Sequence, residues 1–213
     1  ILDEVTEGQL CTVLRGVERI DNNNLITISA CDHAVIYKNS KFSELIANKE
    51  IDIIVWTING YPGAIRNPEM YGWVEEKDSI IKSVSVKKKL NNPTNDSMII
   101  GTFTFRNKSI LENISNRLLI REGKVNREYY LDSAIEDALQ LGYKCITFPV
   151  EKYICWGTPN DLKTYMYWQK CFHKWKRHPY KLEKDKLNNL TNQQSKIIIG
   201  EPFEPLLPLN NRI

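Results

Sequence analysis

Ile51-Asp52-Ile53-Ile54-Val55-Trp56-Thr57-Ile58 is apolar at odd and even positions alike. A strand with one solvated face alternates apolar and polar residues. A run apolar on both parities therefore reads as a central strand covered on both faces, which requires helices on both sides of a sheet. Upstream, Leu25-Ile26-Thr27-Ile28-Ser29-Ala30-Cys31 is rich in β-branched residues and follows the turn-forming Asp21-Asn22-Asn23-Asn24. This predicts a second buried strand, ending on Asp32-His33. Between Thr6 and Ile20, the apolar Leu10, Val13, Leu14, Val17 and Ile20 recur at helical spacing, with Thr6 as cap and Gln9 three residues on. Ser40 to Asn48 reads as a short helix.

Downstream, Asn67-Pro68-Glu69-Met70-Tyr71-Gly72-Trp73-Val74 is turn chemistry followed by a strand, and Ile80 to Lys89 alternates through Ile81, Val84 and Val86 as its hairpin partner. The polar loop Asn91 to Ser97 leads into Met98 to Phe105, a strand in which Gly101 lets backbone and ligand approach closely. Helices are predicted at Ser109 to Leu119 and Leu131 to Leu141, the second stopped by Gly142, and a strand at Lys144 to Val150. In Trp156-Gly157-Thr158-Pro159-Asn160-Asp161-Leu162, Thr158 serves as N-cap, Pro159 falls at the first helical position and Asp161 at the third, so a helix through Tyr165, Trp168 and Phe172 has a well-specified start. Its aromatic residues, with Tyr167 and Trp175, suit either a core or an interface between copies, which leaves a homo-oligomer open. From Lys174 onward, charged and then Asn/Gln-rich residues bury too little surface to order themselves. The expected organisation is an α/β domain over 1–178 and an arm or linker over 179–213.

Composition narrows the function. The 213 residues are 42% hydrophobic and 26% charged, and the apolar runs fall short of the roughly 20 residues that span a bilayer, so no membrane partner is expected. The 29 basic and 26 acidic residues leave a net charge of +3, too even a balance for nucleic-acid binding. Cys11, Cys31, Cys145, Cys155 and Cys171 form no Cys-x-x-Cys pair and read as buried small hydrophobes in a reducing compartment. With no signal peptide visible, the expected location is cytoplasmic. The three histidines stand at no ligand spacing from a cysteine pair, which argues against zinc.

An aspartate at the carboxyl end of a buried strand lies where open α/β sheets bind ligands, and an oxygen ligand suits Mg²⁺ shared with substrate phosphates. Asp32 is such a residue; by position alone it can equally cap the turn. His33 reads as a turn or surface residue rather than a base. Tyr71-Gly72 can be a plain tight turn, Lys87, Lys88 and Lys89 a solvated strand end, and Glu128 an acid that complements a helix dipole.

The order of the motifs decides among these readings. Thr6-Glu7-Gly8-Gln9, the strand ending in Asp32, Pro68 to Glu75, a Lys-bearing strand, Ile100-Gly101-Thr102-Phe103, Glu128-Tyr129-Tyr130-Leu131-Asp132 and Trp156 to Leu162 occur in sequence. Together, over about Val5 to Trp175, they resemble the sugar-phosphate nucleotidylyltransferases, the NDP-sugar pyrophosphorylases. The resemblance implies a Rossmann-like fold of the glycosyltransferase-A type, with a mixed, mainly parallel sheet flanked by helices. It further implies an enzyme that joins an NTP to a sugar-1-phosphate and releases pyrophosphate with Mg²⁺. By position, Gly8 matches the glycine facing the base and Asp32 the metal-binding aspartate. Gly72 and Glu128 match residues of the sugar pocket. Lys89 matches the lysine that holds the sugar phosphate in a Glu-Lys-Pro motif, or Lys87 if the loop alignment slips by two.

The sequence departs from this pattern in three places. No Gly-x-Gly-type phosphate loop is present, so, with Ile1 as its first residue, the chain is expected to be N-terminally truncated, lacking an opening βα unit. Cys155 stands where many members carry a second metal-binding aspartate, and Lys88 replaces the Glu of Glu-Lys-Pro. These departures motivate a second expectation, a non-catalytic nucleotide-sugar-binding or partner subunit of the same fold. A sugar-transferring enzyme of related fold usually requires an Asp-x-Asp triplet; Cys31-Asp32-His33 stands there instead.

Overall fold

The computed structural model describes residues 3–88, 90, 92 and 94–177, with side chains as far as 171. By its contacts the chain divides into two units, Ile1–Tyr153 and Ile154–Ile213. In the first, the elements are α1 (Gln9–Val17), β1 (Ile26–Ser29), β2 (His33–Ile36), α2 (Asn39–Ala47), β3 (Ile53–Ile58), α3 (Pro62–Arg66), β4 (Gly72–Lys77), β5 (Ile80–Val86), β6 (Ser97–Phe105), α4 (Lys108–Ile120), α5 (Leu131–Gln140) and β7 (Cys145–Pro149). β8 (Lys152–Cys155) runs across the boundary, and α6 (Pro159–Arg177) belongs to the second unit.

The two-sided apolar run behaves as its pattern predicts. On β3, Ile53 and Val55 join a core with Leu10, Phe103, Leu111, Ile114, Leu131 and Ile135, whereas Ile54 and Trp56 join a second core with Trp73, Met98, Ile100, Ile146 and Phe148. Successive side chains of one strand thus serve opposite faces. α4 and α5 cover the first face, and Phe42 and Leu45 of α2 pack on the second.

The predicted sense of the sheet is corrected. The six strands run in the order β1-β6-β3-β7-β5-β4, and β4 pairs with β6 as well. Only β3–β7 is parallel; β1–β6, β3–β6, β4–β5, β4–β6 and β5–β7 are antiparallel. The sheet is mixed and mainly antiparallel, not mainly parallel, because an apolar run on both parities reports that both faces are covered and carries no information on the direction of its neighbours. The cysteine reading is also corrected: among the five, Cys145 is buried, Cys31 is exposed and the others are partly buried, all as free thiols.

Within the second unit, Thr158 caps α6 as predicted. Its hydroxyl accepts the Asp161 N–H at 3.1 Å and lies 2.7 Å from the Asp161 carboxylate. The predicted arm over 179–213 falls outside the described residues. Among the described residues, no helix is long and apolar enough to cross a membrane.

Candidate functional site

The register of β6 builds the site. β1 pairs with residues 102–105 of β6, ending on Ser29 opposite Thr102, while β4 pairs with residues 97–99, starting on Gly72 opposite Ile99. β3 occupies the other edge along the same stretch. Two strands therefore share one edge of β6 end to end, and the gap between them is two residues, Ile100 and Gly101, or three rises from Ile99 to Thr102, about 10 Å at the usual strand rise. The end of β1, continuing to Ala30, enters this gap from one side, with Asp32 two residues on, and Gly72 bounds it from the other. β6 itself is irregular here, since its register with β3 shifts between Val55 and Thr57. Gly101 takes φ +74° in the gap, and its carbonyl accepts the Ala30 N–H at 3.1 Å. A Cβ on Gly101 would stand 3.4 Å from that of Ala30, an ordinary contact, so it is the left-handed backbone of the bulge that calls for glycine.

On the β1 side, neutral polar groups form a ladder. Thr27 and Thr104 hydroxyls lie 3.0 Å apart, as do those of Ser29 and Thr102, and Trp56 Nε1 donates to Thr104 Oγ1 at 3.0 Å. His33 completes it: Nε2 lies 3.3 Å from Ser29 Oγ and 3.1 Å from Thr102 Oγ1, and the ring packs 5.3 Å from that of Tyr153. The His33 side chain is 2% exposed, which corrects its reading as a surface or turn residue. A β-branched strand end cannot announce this in sequence, because only the Ser29 hydroxyl is local and the other that meets the ring, that of Thr102, comes from a strand 69 residues away. Burial lowers the His33 pKa, with Asp32 opposing the shift. Asp32 itself projects with its side chain 51% exposed, its Oδ1 3.8 Å from His33 Nδ1.

On the β4 side, Gly72 leaves room for a carboxylate: a Cβ there would stand 2.2 Å from Asp132 Oδ2 and 3.2 Å from Ile99 Cδ1. Asp132, in the first turn of α5, is half-buried. Desolvation pushes its pKa up to about 6, opposed by the Lys87 ammonium and its own backbone N–H. Lys87, at φ +57°, accepts no strand position; its N–H donates to Tyr71 O at 3.1 Å, its Nζ donates to Met70 O, and the ammonium lies 5.3 Å from the Tyr130 ring centroid. Burial first, then a hydrogen bond to the exposed Glu128, pushes the Tyr130 hydroxyl up to about 12. Gly8 packs on the same segment. At φ +123°, it would bring a Cβ within 2.6 and 2.7 Å of Tyr129 N and O, while Tyr129 N donates to Glu7 O at 2.9 Å and Leu10 N to Tyr129 O at 3.0 Å. The glycine at 8 thus has a reason inside the protein, the close approach of residues 128–129.

Gly8, Gly72, Lys87 and Glu128 are brought together around residues 128–132; Gly101 meets Ala30 in the gap, and Asp32 follows two residues later on the β1 side. Lys89 lies outside the described residues. Lys88 lines a neighbouring cleft of about 420 Å³ with Arg121 and Lys124. Tyr130 and Asp132 are residues to which sequence reasoning assigned no role, although Glu128, Tyr130 and Asp132 alternate in a quoted motif. Among the described residues, no group of three or more His, Cys, Asp or Glu could hold a metal. One exposed carboxylate, Asp32, backed by a buried imidazole nitrogen without a partner, fits a hard cation that keeps most of its water and shares phosphate oxygens, as Mg²⁺ does. Cys155, in the second unit, accepts the Gly157 N–H on its sulfur at 3.4 Å.

This is the fold of the sugar-phosphate nucleotidylyltransferases. The chain superposes on the nucleoside-diphosphate-sugar pyrophosphorylase from Vibrio cholerae RC9 with a TM-score of 0.60 and 15% identity, over 78% of this chain and 67% of that one. It is likewise similar to a Bacillus anthracis protein assigned as a glucose-1-phosphate thymidylyltransferase, in complex with a sucrose (TM-score 0.56, 15% identity, 76% and 61% covered). A third likeness is to the inositol-1-phosphate CTP transferase from T. maritima (0.54, 14%, 79% and 63%). The chain spans about two thirds or less of each of these structures. No family model and no curated protein matches it.

Proposed function

We propose that the chain carries sugar-1-phosphate nucleotidylyltransferase chemistry, forming an NDP-sugar from an NTP and a sugar phosphate. The observation that supports this reading is the interrupted edge of β6: β1, three residues before the exposed Asp32 carboxylate, and β4, which opens on Gly72 beside Asp132, pair with the same edge one after the other. The reaction forms a bond from a sugar-phosphate oxygen to the α-phosphorus and breaks the bond to the β-phosphate bridge, so pyrophosphate leaves. Two anions must be held in line while charge accumulates between them.

In this reading Asp32 would hold Mg²⁺, which when bound screens the charge between the two phosphates. Lys87, fixed across the Met70–Tyr71 turn, offers its ammonium to the sugar phosphate; Lys89 retains the same role by its match to the family motif. Glu128, Tyr130 and Asp132 offer carboxylate and phenol oxygens to ring hydroxyls, beside the Gly72 backbone. Gly8 holds α1 against the 128–129 segment and so shapes the side of the site assigned to the base. The left-handed bulge at Gly101 keeps the floor of the gap open.

Pyrophosphate release, followed with a panel of NTPs and sugar phosphates, tests the assignment. Asp32→Ala is expected to lower turnover about 100-fold, the scale of losing one group that stabilises transition-state charge. An inert protein whose nucleotide-sugar binding ignores Asp32→Ala would end this reading. A second reading, a nucleotide-sugar-binding subunit without turnover, is favoured by the single carboxylate and by Lys88 in the place of a glutamate. It predicts nucleotide-sugar affinity in calorimetry that is indifferent to Mg²⁺. Cytoplasmic location and self-association remain part of the proposal, to be read by fractionation and by sedimentation.

A further inference from the structure

We propose that His33 is a positioning residue for Asp32: its Nδ1–H is the donor that turns and holds the Asp32 carboxylate toward the gap in β6. The inference rests on the assignment of Asp32 as metal ligand made above. Four observations lead to it. The His33 side chain is 2% exposed, and its Nδ1 has no hydrogen-bond partner. A buried polar atom without a partner is costly enough that native structures rarely keep one without a use for it. Asp32 Oδ1 faces that atom at 3.8 Å, about 0.6 Å beyond the usual hydrogen-bond range. The ring is otherwise fixed, by Ser29 Oγ and Thr102 Oγ1 at Nε2 and by Tyr153 against its face. Asp32, by contrast, is exposed and able to rotate.

The tautomer follows from these contacts. A ring nitrogen carrying a lone pair would repel the carboxylate that faces it, whereas Nε2 faces hydroxyls able to donate. The neutral ring therefore carries its proton on Nδ1 and accepts at Nε2. An oriented carboxylate loses less freedom on binding a cation, and hydrogen bonds to ligating groups commonly change metal affinity 10- to 100-fold.

Two substitutions separate positioning from support. In His33→Asn the side-chain amide falls near the place of Nδ1, keeping a donor toward Asp32 and losing the anchor to Ser29 and Thr102. In His33→Gln the amide reaches toward Nε2, keeping the anchor and losing the donor. Mn²⁺ alone, and Mn²⁺ with pyrophosphate, are titrated onto the full chain by electron paramagnetic resonance, alongside thermal unfolding. His33→Gln is expected to be the more stable variant and to bind Mn²⁺ about tenfold more weakly than wild type, and His33→Asn to be less stable yet to bind within about threefold. Affinities that follow stability, with the Gln variant binding better, would overturn the inference and leave Asp32 as ligand intact. Mn²⁺ affinity unchanged by Asp32→Ala would remove the metal site itself. Should the Asn variant not fold, ¹⁵N spectra of wild-type His33 decide: a proton on Nδ1 supports positioning, and a proton on Nε2 refutes it.

Discussion

The two sides of the gap in β6 solve opposite problems. On the β1 side, the buried hydroxyls of Thr102 and Thr104, the exposed ones of Thr27 and Ser29 and a neutral imidazole hold one another, and the charge, Asp32, stands at the surface. On the β4 side, charge is drawn inward: Asp132 occupies the volume that a side chain at 72 would fill, with Lys87 and the Tyr130 ring beside it. The first arrangement is stable before any ligand arrives. The second holds an ionisable group where ionisation is disfavoured, and a ligand that supplies hydrogen bonds relieves it. Stability and binding should therefore respond together on one side and in opposition on the other.

The glycines give the sharpest contrast. Gly8→Ala sets a Cβ within 2.7 Å of two backbone atoms of Tyr129 at φ +123°, with no flexible group to yield. The expected cost is the largest in the molecule, about 3 kcal/mol or more from overpacking and strain together, read as a fall in the urea midpoint. Gly72→Ala meets instead the far end of the Asp132 side chain. That carboxylate can swing away, so stability should fall by only about 1 kcal/mol. Affinity for nucleotide sugars should drop about 100-fold if Asp132 reads the ligand, because a displaced charge is both lost as a contact and left in the way. Equal losses of stability from the two variants would break the contrast.

These two glycines also measure what the sequence could disclose. Both motifs that carry them are visible in the chain, and the elements around them fall within a few residues of their predicted bounds, because helix periodicity, the Thr158 cap and the two-sided run at 51–58 are local or strongly patterned signals. The reason for each glycine was not legible. Gly8 answers to Tyr129 and Gly72 to Asp132, partners roughly 120 and 60 residues away in sequence. Strand direction failed for the same reason: β4 and β1 take one edge of β6 through register alone. His33 shows the limit from the other side, since one of the two hydroxyls at its ring, that of Thr102, lies on a strand whose apolar pattern announces only its own burial.

Asp132→Asn tests the cost of inward charge. A carboxyl raised from 3.8 to about 6 by folding binds its proton more tightly in the native state than in the unfolded one. The contribution of Asp132 to stability is therefore greatest below about pH 4, falls as pH rises through the interval between the two values, and is level above about 6. The neutral amide removes this dependence. The variant should be more stable than wild type by up to about 3 kcal/mol at pH 7.5 and no more stable at pH 3.5. Unfolding across that range checks it, and the same variant should lose affinity about tenfold at pH 7.5 if ligand hydroxyls are its partners. Lys87 and the backbone N–H of Asp132 oppose the shift, so Lys87→Met should steepen the pH dependence rather than flatten it.

The floor of the gap predicts the smallest effect, and it separates shape from space. Gly101 has an ordinary van der Waals distance, 3.4 Å, between its would-be Cβ and Ala30, yet its φ is +74°. Gly101→Ala should thus cost about 1 kcal/mol through backbone strain alone, and Gly101→Asn less, because asparagine tolerates the left-handed region. If crowding at Ala30 were the constraint, the order would reverse, the larger side chain being the worse. The bulge that needs this backbone holds β1 and β4 apart on the same edge, so relaxing it toward a regular strand would close the gap from within. Turnover that falls more than stability in Gly101→Ala, with recovery in Gly101→Asn, would tie the shape of β6 to the chemistry proposed at its two ends.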